Sequence, residues 1–376
     1  MDLDLSEDQK MLRTTARDFL AKECPKQLVR EMEQDEKGYS PQLWLKMAQL
    51  GWLGLPFPER YGGGGGSFLD LVVLLEEMGR ACLPGPFLSS VVLGGLPILA
   101  AGSEEQKQQF LPAIAQGKIL TLALTEADGS YEAASIKTRV TPDKDDYVIS
   151  GTKLFVPDAH IADYLLCLAR TKEGSSEDEG LSLFIIDAKG QGISYTPLIT
   201  IASDKQCEVI FDEVRVPRTN ILGELDQGWG VVEKTLQYAA IAKCAEMVGA
   251  AQQVLEMSVE YAKQRVQFER PIGSFQAIQH HCANMLIDID GMRYLTYQAG
   301  WLLSEGLPAA KEVAMAKAWV SQAIRRVTAL GHQIHSGVGY TMDHDLQLYF
   351  RRGKAAEVIF GDANFHRELI ASQLGL

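Results

Sequence analysis

The feature that most constrains the fold is a twofold change of hydrophobic period along the 376 residues. From Leu5 to about Gly117 apolar residues recur three and four apart, as at Met11, Ala16, Phe19 and Leu20 and again at Leu71, Leu74, Leu75 and Met78. That is the spacing of one helix face. After Gly117 the pattern becomes short β-rich runs: ILTLALT (119–125), DYVISG (146–151), KLFV (153–156), DYLLCLA (163–169), LSLFIID (181–187) and EVIFDEV (208–214). No helix of useful length separates these runs, which argues against a βαβ nucleotide-binding sheet and for an antiparallel barrel or sandwich. From Gly228 helical spacing returns through Val231, Val232, Leu236, Ala240, Met247, Val248, Ala251 and Leu255. Long helices are predicted over 276–305, 310–335 and 344–374, punctuated by Gly273, by Gly306 with Pro308, and by Gly337 to Gly339. The expected class is α+β: an N-terminal helical domain (1–117), a middle antiparallel β domain (118–222) and a C-terminal bundle of long helices (223–376).

Local signals agree with this division. Ser6 and Ser103, each followed by acidic residues, read as helix N-caps. The Gly62 to Gly66 run is followed by Ser67 and no lysine, so an interhelical loop is expected in place of a phosphate loop. PDKDD (142–146) and EGSSEDEG (173–180) read as solvated tips between strands.

Composition narrows the function. With 46% hydrophobic and 23% charged residues and a mean hydropathy of −0.05, the chain is an ordinary globular protein. Its net charge of −13 leaves no basic stripe for nucleic acid, although a few arginines can still meet an anionic ligand. Cys24, Cys82, Cys167, Cys207, Cys244 and Cys282 are scattered singly, as free core thiols are. The acidic start MDLDLSEDQK resembles neither a signal nor a transit sequence. The apolar stretch from Val91 to Ala101 is too short and too broken by glycine and proline to span a membrane. A reducing, cytoplasmic location is expected.

Three segments stand out. LTEADGS (124–130) ends a strand in a hydroxyl, two acids and a Gly-Ser pair, where a plain β-turn is the alternative. RVQFERPIGSFQ (265–276) alternates cations and aromatics at a helix end. HQIHSGVGY (332–340) carries glycines that let a ligand approach the backbone. His332 and His335 stand at i and i+3 without an evident third ligand, so no metal is expected.

In this order and spacing the segments resemble the acyl-CoA dehydrogenase family, flavoenzymes that oxidise an acyl-CoA thioester between Cα and Cβ. The resemblance rests on TE(x)GS, on RxxF followed eight residues later by Gln, and on QxxxGxGY, and it covers essentially the whole chain. It implies FAD bound across a subunit interface, a tetramer built as a dimer of dimers, an acyl-CoA substrate and an electron-transfer flavoprotein as acceptor. By matching position, Thr125, Gly129, Ser130 and Phe155 are implied on the flavin and pyrophosphate side. Arg265, Phe268, Gln276, Gln333 and Gly337 are implied to reach a neighbouring subunit's cofactor.

The sequence also departs from the family pattern. The carboxylate that takes the Cα proton normally precedes a C-terminal Gly-Thr, and that position here is Phe360, before Gly361. The alternative seat, on the first long C-terminal helix, falls on Ala239, and the usual CoA-holding arginine after it is Ala240. TEADGS is one residue shorter than the usual TEPGAGS, and the usual Trp-Ile-Thr beside the flavin reads Phe155, Val156, Pro157. Glu269 replaces the glycine after Phe268. A chain that keeps its partner-facing half and loses its base reads as the non-catalytic subunit of a heteromeric enzyme. The alternatives are a self-sufficient homo-oligomer with a relocated base, for which Asp362 is the nearest carboxylate and Asp128, Asp158 and Glu246 are further ones, and a flavin-free assembly or regulatory protein. Asp362 equally reads as an N-cap for the segment that follows.

Overall fold

The computed structural model describes residues 4–172 and 178–376. Part of the EGSSEDEG segment and the first three residues of the acidic start lie outside the described residues. In chain order the helices and strands are α1 (Glu7–Glu23), α2 (Lys26–Gln34), α3 (Pro41–Gln49), α4 (Phe68–Ala81), α5 (Leu96–Ala101), α6 (Glu104–Ala115), β1 (Leu120–Ala123), β2 (Arg139–Asp143), β3 (Asp146–Pro157), β4 (Tyr164–Arg170), β5 (Leu181–Asp187), β6 (Ile193–Leu198), β7 (Gln206–Pro217) and β8 (Ile221–Leu222). Then follow α7 (Gly228–Gln264), the short strands β9 (Val266–Gln267) and β10 (Arg270–Pro271), α8 (Gln276–Ser304), α9 (Ala310–His335), α10 (Leu346–Ala356) and α11 (Ala363–Gln373). The predicted helix–β–helix order is the observed one.

The capping signals are realised. Ser6 and Ser103 each accept from the backbone of the third helical residue, and Gln9 and Gln106 reach back to the cap, forming capping boxes on α1 and α6. The glycine run is a loop whose amides bond back onto 54–58, as in Gly64 N to Gly54 O at 2.9 Å.

By contacts the chain falls into two compact units, one of 1–31, 68–83 and 240–376, the other of 32–67 and 84–239. In the second, the sheet runs β6-β7-β3-β2-β4-β5-β8, with β1 beside β4. It is antiparallel except where β1, arriving directly from α6, lies parallel to β4, and at a single parallel bridge between β2 and β4. Strands β2 and β6 escape sequence reading because they are short and half exposed, with burial alternating weakly. The two runs expected over 146–151 and 153–156 are one strand, β3; at their junction Gly151 has φ +156°, where a Cβ would sit 2.6 Å from Thr138 Oγ1. The sequence pattern broke at a close approach and not at a turn.

In the first unit the long helices α7, α8 and α9 enclose Val254, Met285, Ile289, Met292, Ile324 and Val327, none exposed. Two buried glutamates on α4 bind this core electrostatically. Glu77 accepts from Arg17 Nε at 2.9 Å and Nη2 at 2.7 Å, and Glu76 takes Arg293 at 3.2 Å and the Tyr297 hydroxyl at 2.8 Å. The predicted helix over 344–374 is two helices, α10 and α11, because Phe360 (φ +61°) and Gly361 (φ +91°) turn left-handed between them. Among the described residues no helix is long and apolar enough to cross a membrane.

Candidate functional site

The LTEADGS segment begins where β1 leaves its partner. The β1–β4 register ends at Ala123 with Cys167, and the next residues are stitched to β3 instead. Thr125 Oγ1 donates to Leu154 O at 2.5 Å and Leu154 N donates to Thr125 O at 2.8 Å. Glu126 turns inward, where its carboxylate accepts from Lys137 N (2.9 Å), Thr138 N (2.9 Å), Thr138 Oγ1 (2.8 Å) and Lys153 Nζ (2.8 Å). Burial pushes this carboxyl up, but the Lys153 ammonium and the Thr138 donors outweigh it and hold Glu126 below the usual carboxylate range. Gly129 follows at φ +68°, with open space where a Cβ would be. Ser130 N donates to Asp128 Oδ1 at 3.2 Å, so Asp128 is a turn acid.

Opposite Thr125, β3 bulges. Its pairing with β7 steps from Lys153–Val209 to Val156–Cys207, one extra residue on β3. The bulge drives Phe155 to φ +56° and leaves its ring 49% exposed. Asp158, at φ +54°, accepts from the buried Ser89 hydroxyl at 2.6 Å, which accounts for this carboxylate structurally.

The C-terminal candidates gather at one end of the helical unit. The α7 and α9 ends are tied by Tyr261 stacked on His335 at 4.4 Å. Arg265, just past the end of α7, is exposed, and its carbonyl accepts from Ile272 N at 2.8 Å, folding the β9–β10 hairpin back. The hairpin tip is Phe268–Glu269, at φ +50° and +62°, and the Phe268 ring is 86% exposed. Two positive φ angles are those of a tight hairpin turn, usually filled by Asn-Gly. Gln276 opens α8, Gln333 lies exposed in the last turn of α9, and Gly337 is exposed with open space at its Cβ position. His332 stacks on Tyr340 at 4.8 Å, and burial pushes both His332 and His335 down, so the motif's histidines are neutral packing groups near pH 7.

Glu269 pays a conformational cost that glycine does not. Glu269→Gly is expected to stabilise the protein by about 1 kcal/mol, since a left-handed residue with a Cβ costs about that much. An unchanged or lower urea midpoint would count against the strain.

The turn carrying Phe360 is held from two sides. His366 Nε2 donates to Phe360 O at 2.8 Å, and Lys317 Nζ donates to Gly361 O at 2.7 Å and Ala356 O at 3.1 Å. Asp362 caps α11, accepting from Asn364 N at 3.0 Å and Phe365 N at 2.8 Å. Ala239 is fully buried in α7. Glu246 pairs with Lys243 at 2.5 Å.

Phe155, Asp158, Phe268, Glu269, Ser336 and Phe360 have positive φ without being glycine, as do Cys82, Lys144, Ser203, Glu213 and Asp226 outside these segments. Apart from the aspartates, none is of a residue type that favours this backbone region, so the sequence carries little signal for them. Sequence reading also missed Lys153 and Lys317, whose buried cations pair with groups far along the chain; a lysine inside an otherwise apolar run, as in VAMAKAWV, was the available hint.

In the unit that holds the sheet, Gly129 is open at its Cβ position and the Phe155 ring is half exposed; in the helical unit Arg265 and the Phe268 ring are exposed and Gly337 is open at its Cβ position, and an exposed guanidinium can pair with a phosphate through parallel hydrogen bonds. Residues 6–118, 121–214 and 226–375 match the N-terminal, middle and C-terminal domains of acyl-CoA dehydrogenase. A probable acyl-CoA dehydrogenase, YngJ of Bacillus subtilis, is 34% identical over 381 residues, covering 100% of both chains. The butyryl-CoA dehydrogenase of Megasphaera elsdenii superposes with a TM-score of 0.93 at 30% identity, covering 100% of each chain. The ChsE4-ChsE5 complex of Mycobacterium tuberculosis gives a TM-score of 0.91 at 29% identity, covering 100% of this chain and 99% of that one. The chain therefore belongs to the acyl-CoA dehydrogenase family, whose members are FAD-dependent oxidoreductases.

Proposed function

We propose that this chain is the non-catalytic, cofactor-completing subunit of a heteromeric FAD-dependent acyl-CoA dehydrogenase, beside a second chain that supplies the base. One observation carries the reading: the two positions where a base is expected by resemblance hold Phe360 and Ala239, and neither a phenyl ring nor a methyl accepts a proton. FAD, when bound, supplies the acceptor for the hydrogen leaving Cβ. Arg265 would pair with its diphosphate through parallel hydrogen bonds, Phe268 would cover apolar cofactor surface, and Gln276, Gln333 and Gly337 would complete that side. Thr125, Gly129, Ser130 and Phe155 would face the flavin and pyrophosphate from the β domain. Pro157 offers no backbone N–H, which weakens the chain's own flavin wall. The similarity to the ChsE4-ChsE5 complex, which contains two differently named chains, supports a heteromer.

A relocated base at Asp362 is disfavoured because that carboxylate is occupied as a helix cap. The substrate is an acyl-CoA thioester and the expected electron acceptor an electron-transfer flavoprotein.

The test measures reduction of a flavin-linked dye by acyl-CoA thioesters, with the purified chain alone and mixed with a second dehydrogenase chain encoded beside it. The chain alone is expected to turn over at least about a hundredfold more slowly than the mixture, the usual contribution of a general base. Equal turnover by the chain alone overturns the proposal. Asp362→Asn, an equally good cap, is expected to leave the mixture's turnover intact, and its loss would move the base to Asp362.

A further inference from the structure

We propose that the buried Glu126–Lys153 ion pair is a positioning device that sets the spacing between the two flavin-facing segments of the β domain, Thr125 to Ser130 and Phe155 to Pro157. The inference rests on the FAD reading of Thr125 and Phe155 given above.

The argument begins with the sheet. β1 pairs with β4, and β3 pairs with β2 and β7, so no ladder runs between β1 and β3. Their ends nevertheless meet in a seam, and only a few bonds define it. Two come from the Thr125–Leu154 exchange, Oγ1 to O at 2.5 Å and N to O at 2.8 Å. The others converge on the ion pair. Lys153, 0% exposed, donates to Leu124 O at 3.0 Å and to Glu126 Oε1 at 2.8 Å, touching the residues on both sides of Thr125.

Glu126 is anchored in turn. Its Oε1 accepts from Thr138 N and Thr138 Oγ1, and its Oε2 accepts from Lys137 N, tying it to the residues that lead into β2. Lys153 is also the last β3 residue in register before the bulge that turns Phe155 outward. One cation thus fixes the end of β1 from above and the start of the bulge from below. An apolar pair could fill the same volume, but it would have no directional preference for the two carbonyls and the carboxylate it meets. A buried ion pair contributes little net stability compared with such a pair, so its directionality is the property that distinguishes it.

The experiment titrates FAD into the full-length apo chain, alone and mixed with the neighbouring dehydrogenase chain, following flavin absorbance and fluorescence. Lys153→Met, of similar volume, is expected to weaken FAD binding at least tenfold and to alter the visible spectrum of the flavin bound at saturation. Lys153→Arg, which keeps a cation, is expected to recover most of that loss. Thr138→Val is the gentler probe should the methionine variant fail to fold: it removes one donor to Glu126, is not itself among the proposed cofactor contacts, and is expected to weaken FAD binding about threefold with the fold intact. A folded Lys153→Met, or failing that Thr138→Val, that binds FAD with wild-type affinity and spectrum overturns the positioning role. Wild-type protein that binds no FAD in either condition overturns the FAD reading itself, a different result from the first.

Discussion

Gly249→Ala is expected to destabilise the protein by at least about 3 kcal/mol, a fall of roughly 4 °C or more in melting temperature. Helices α4 and α7 cross with their backbones in contact through a reciprocal pair of E-x-x-G segments, Glu76 to Gly79 and Glu246 to Gly249. A Cβ at Gly249 would lie 1.7 Å from Glu76 O and 2.8 Å from Arg80 N, and one at Gly79 would lie 1.9 Å from Glu246 O. The atoms struck are main-chain atoms, so no rotamer change relieves the overlap and the helices must part. Parting them also disturbs what α4 carries: the Glu76 carboxylate that takes Arg293 and Tyr297, and the Arg80 guanidinium that pairs with Glu256 on α7. Gly79→Ala should behave the same way. Thermal melts of both variants check the expectation; a loss below about 1 kcal/mol for both would mean that the crossing is not close-packed.

Lys317→Met is the second large effect, expected at about 3 kcal/mol. The lysine is 1% exposed on α9, and its ammonium donates to Ser321 Oγ (3.0 Å) and to the carbonyls of Ala356 (3.1 Å), Glu357 (3.3 Å) and Gly361 (2.7 Å). Methionine fills the volume and leaves those buried acceptors without their donor. Burial pushes the Lys317 ammonium down to about 8, with Cys244, Asp362 and Glu357 opposing the shift and Lys243 adding to it. A cation whose folded pKa lies below its unfolded one is lost first from the native state. Between pH about 8 and about 10.5 the unfolded chain therefore holds more protons at this site, and stability from this group rises with pH across that window. The wild type should gain on Lys317→Met as pH climbs from 8 to 10, measured by urea unfolding at each pH. A constant difference would mean that Lys317 titrates near its ordinary value. Hydrogen exchange should also quicken around 356–361 in the variant, because the turn at Phe360 loses its inner support.

How much was legible beforehand differs between elements. Capping is a local code: Ser6, Ser103 and Asp362 each sit beside the amides they cap, so their role follows from neighbours a few residues away. The end of α9 at His335 was likewise readable from the glycines that follow it. The helix predicted over 344–374 was not, because the break falls at Phe360, which has no turn propensity of its own. It is bent there by Lys317 and His366, the first reaching across from α9 and the second back from α11. The candidate cofactor segments show the same division. Arg265, Phe268 and Gln276 lie within twelve residues, and a motif of that length can be recognised as a string. The Glu126–Lys153 pair joins residues 27 apart, and Lys317 reaches carbonyls 39 to 44 residues away.

The sequence by itself determined the order helix, β, helix, through hydrophobic period, and located the charged and aromatic residues of the candidate cofactor segments, through local spacing. The tertiary structure alone decided how those segments are held. Left-handed backbone at Phe155, Phe268, Glu269 and Phe360 is disfavoured by each residue's own side chain and persists only because surrounding bonds over-determine it. At Phe155 and Phe360 part of that support comes from far along the chain, from β7 and from Lys317, whereas the Phe268–Glu269 turn is held by its own hairpin. Which lysine meets which carbonyl is set by packing distance, and packing distance is not written in any short stretch of residues.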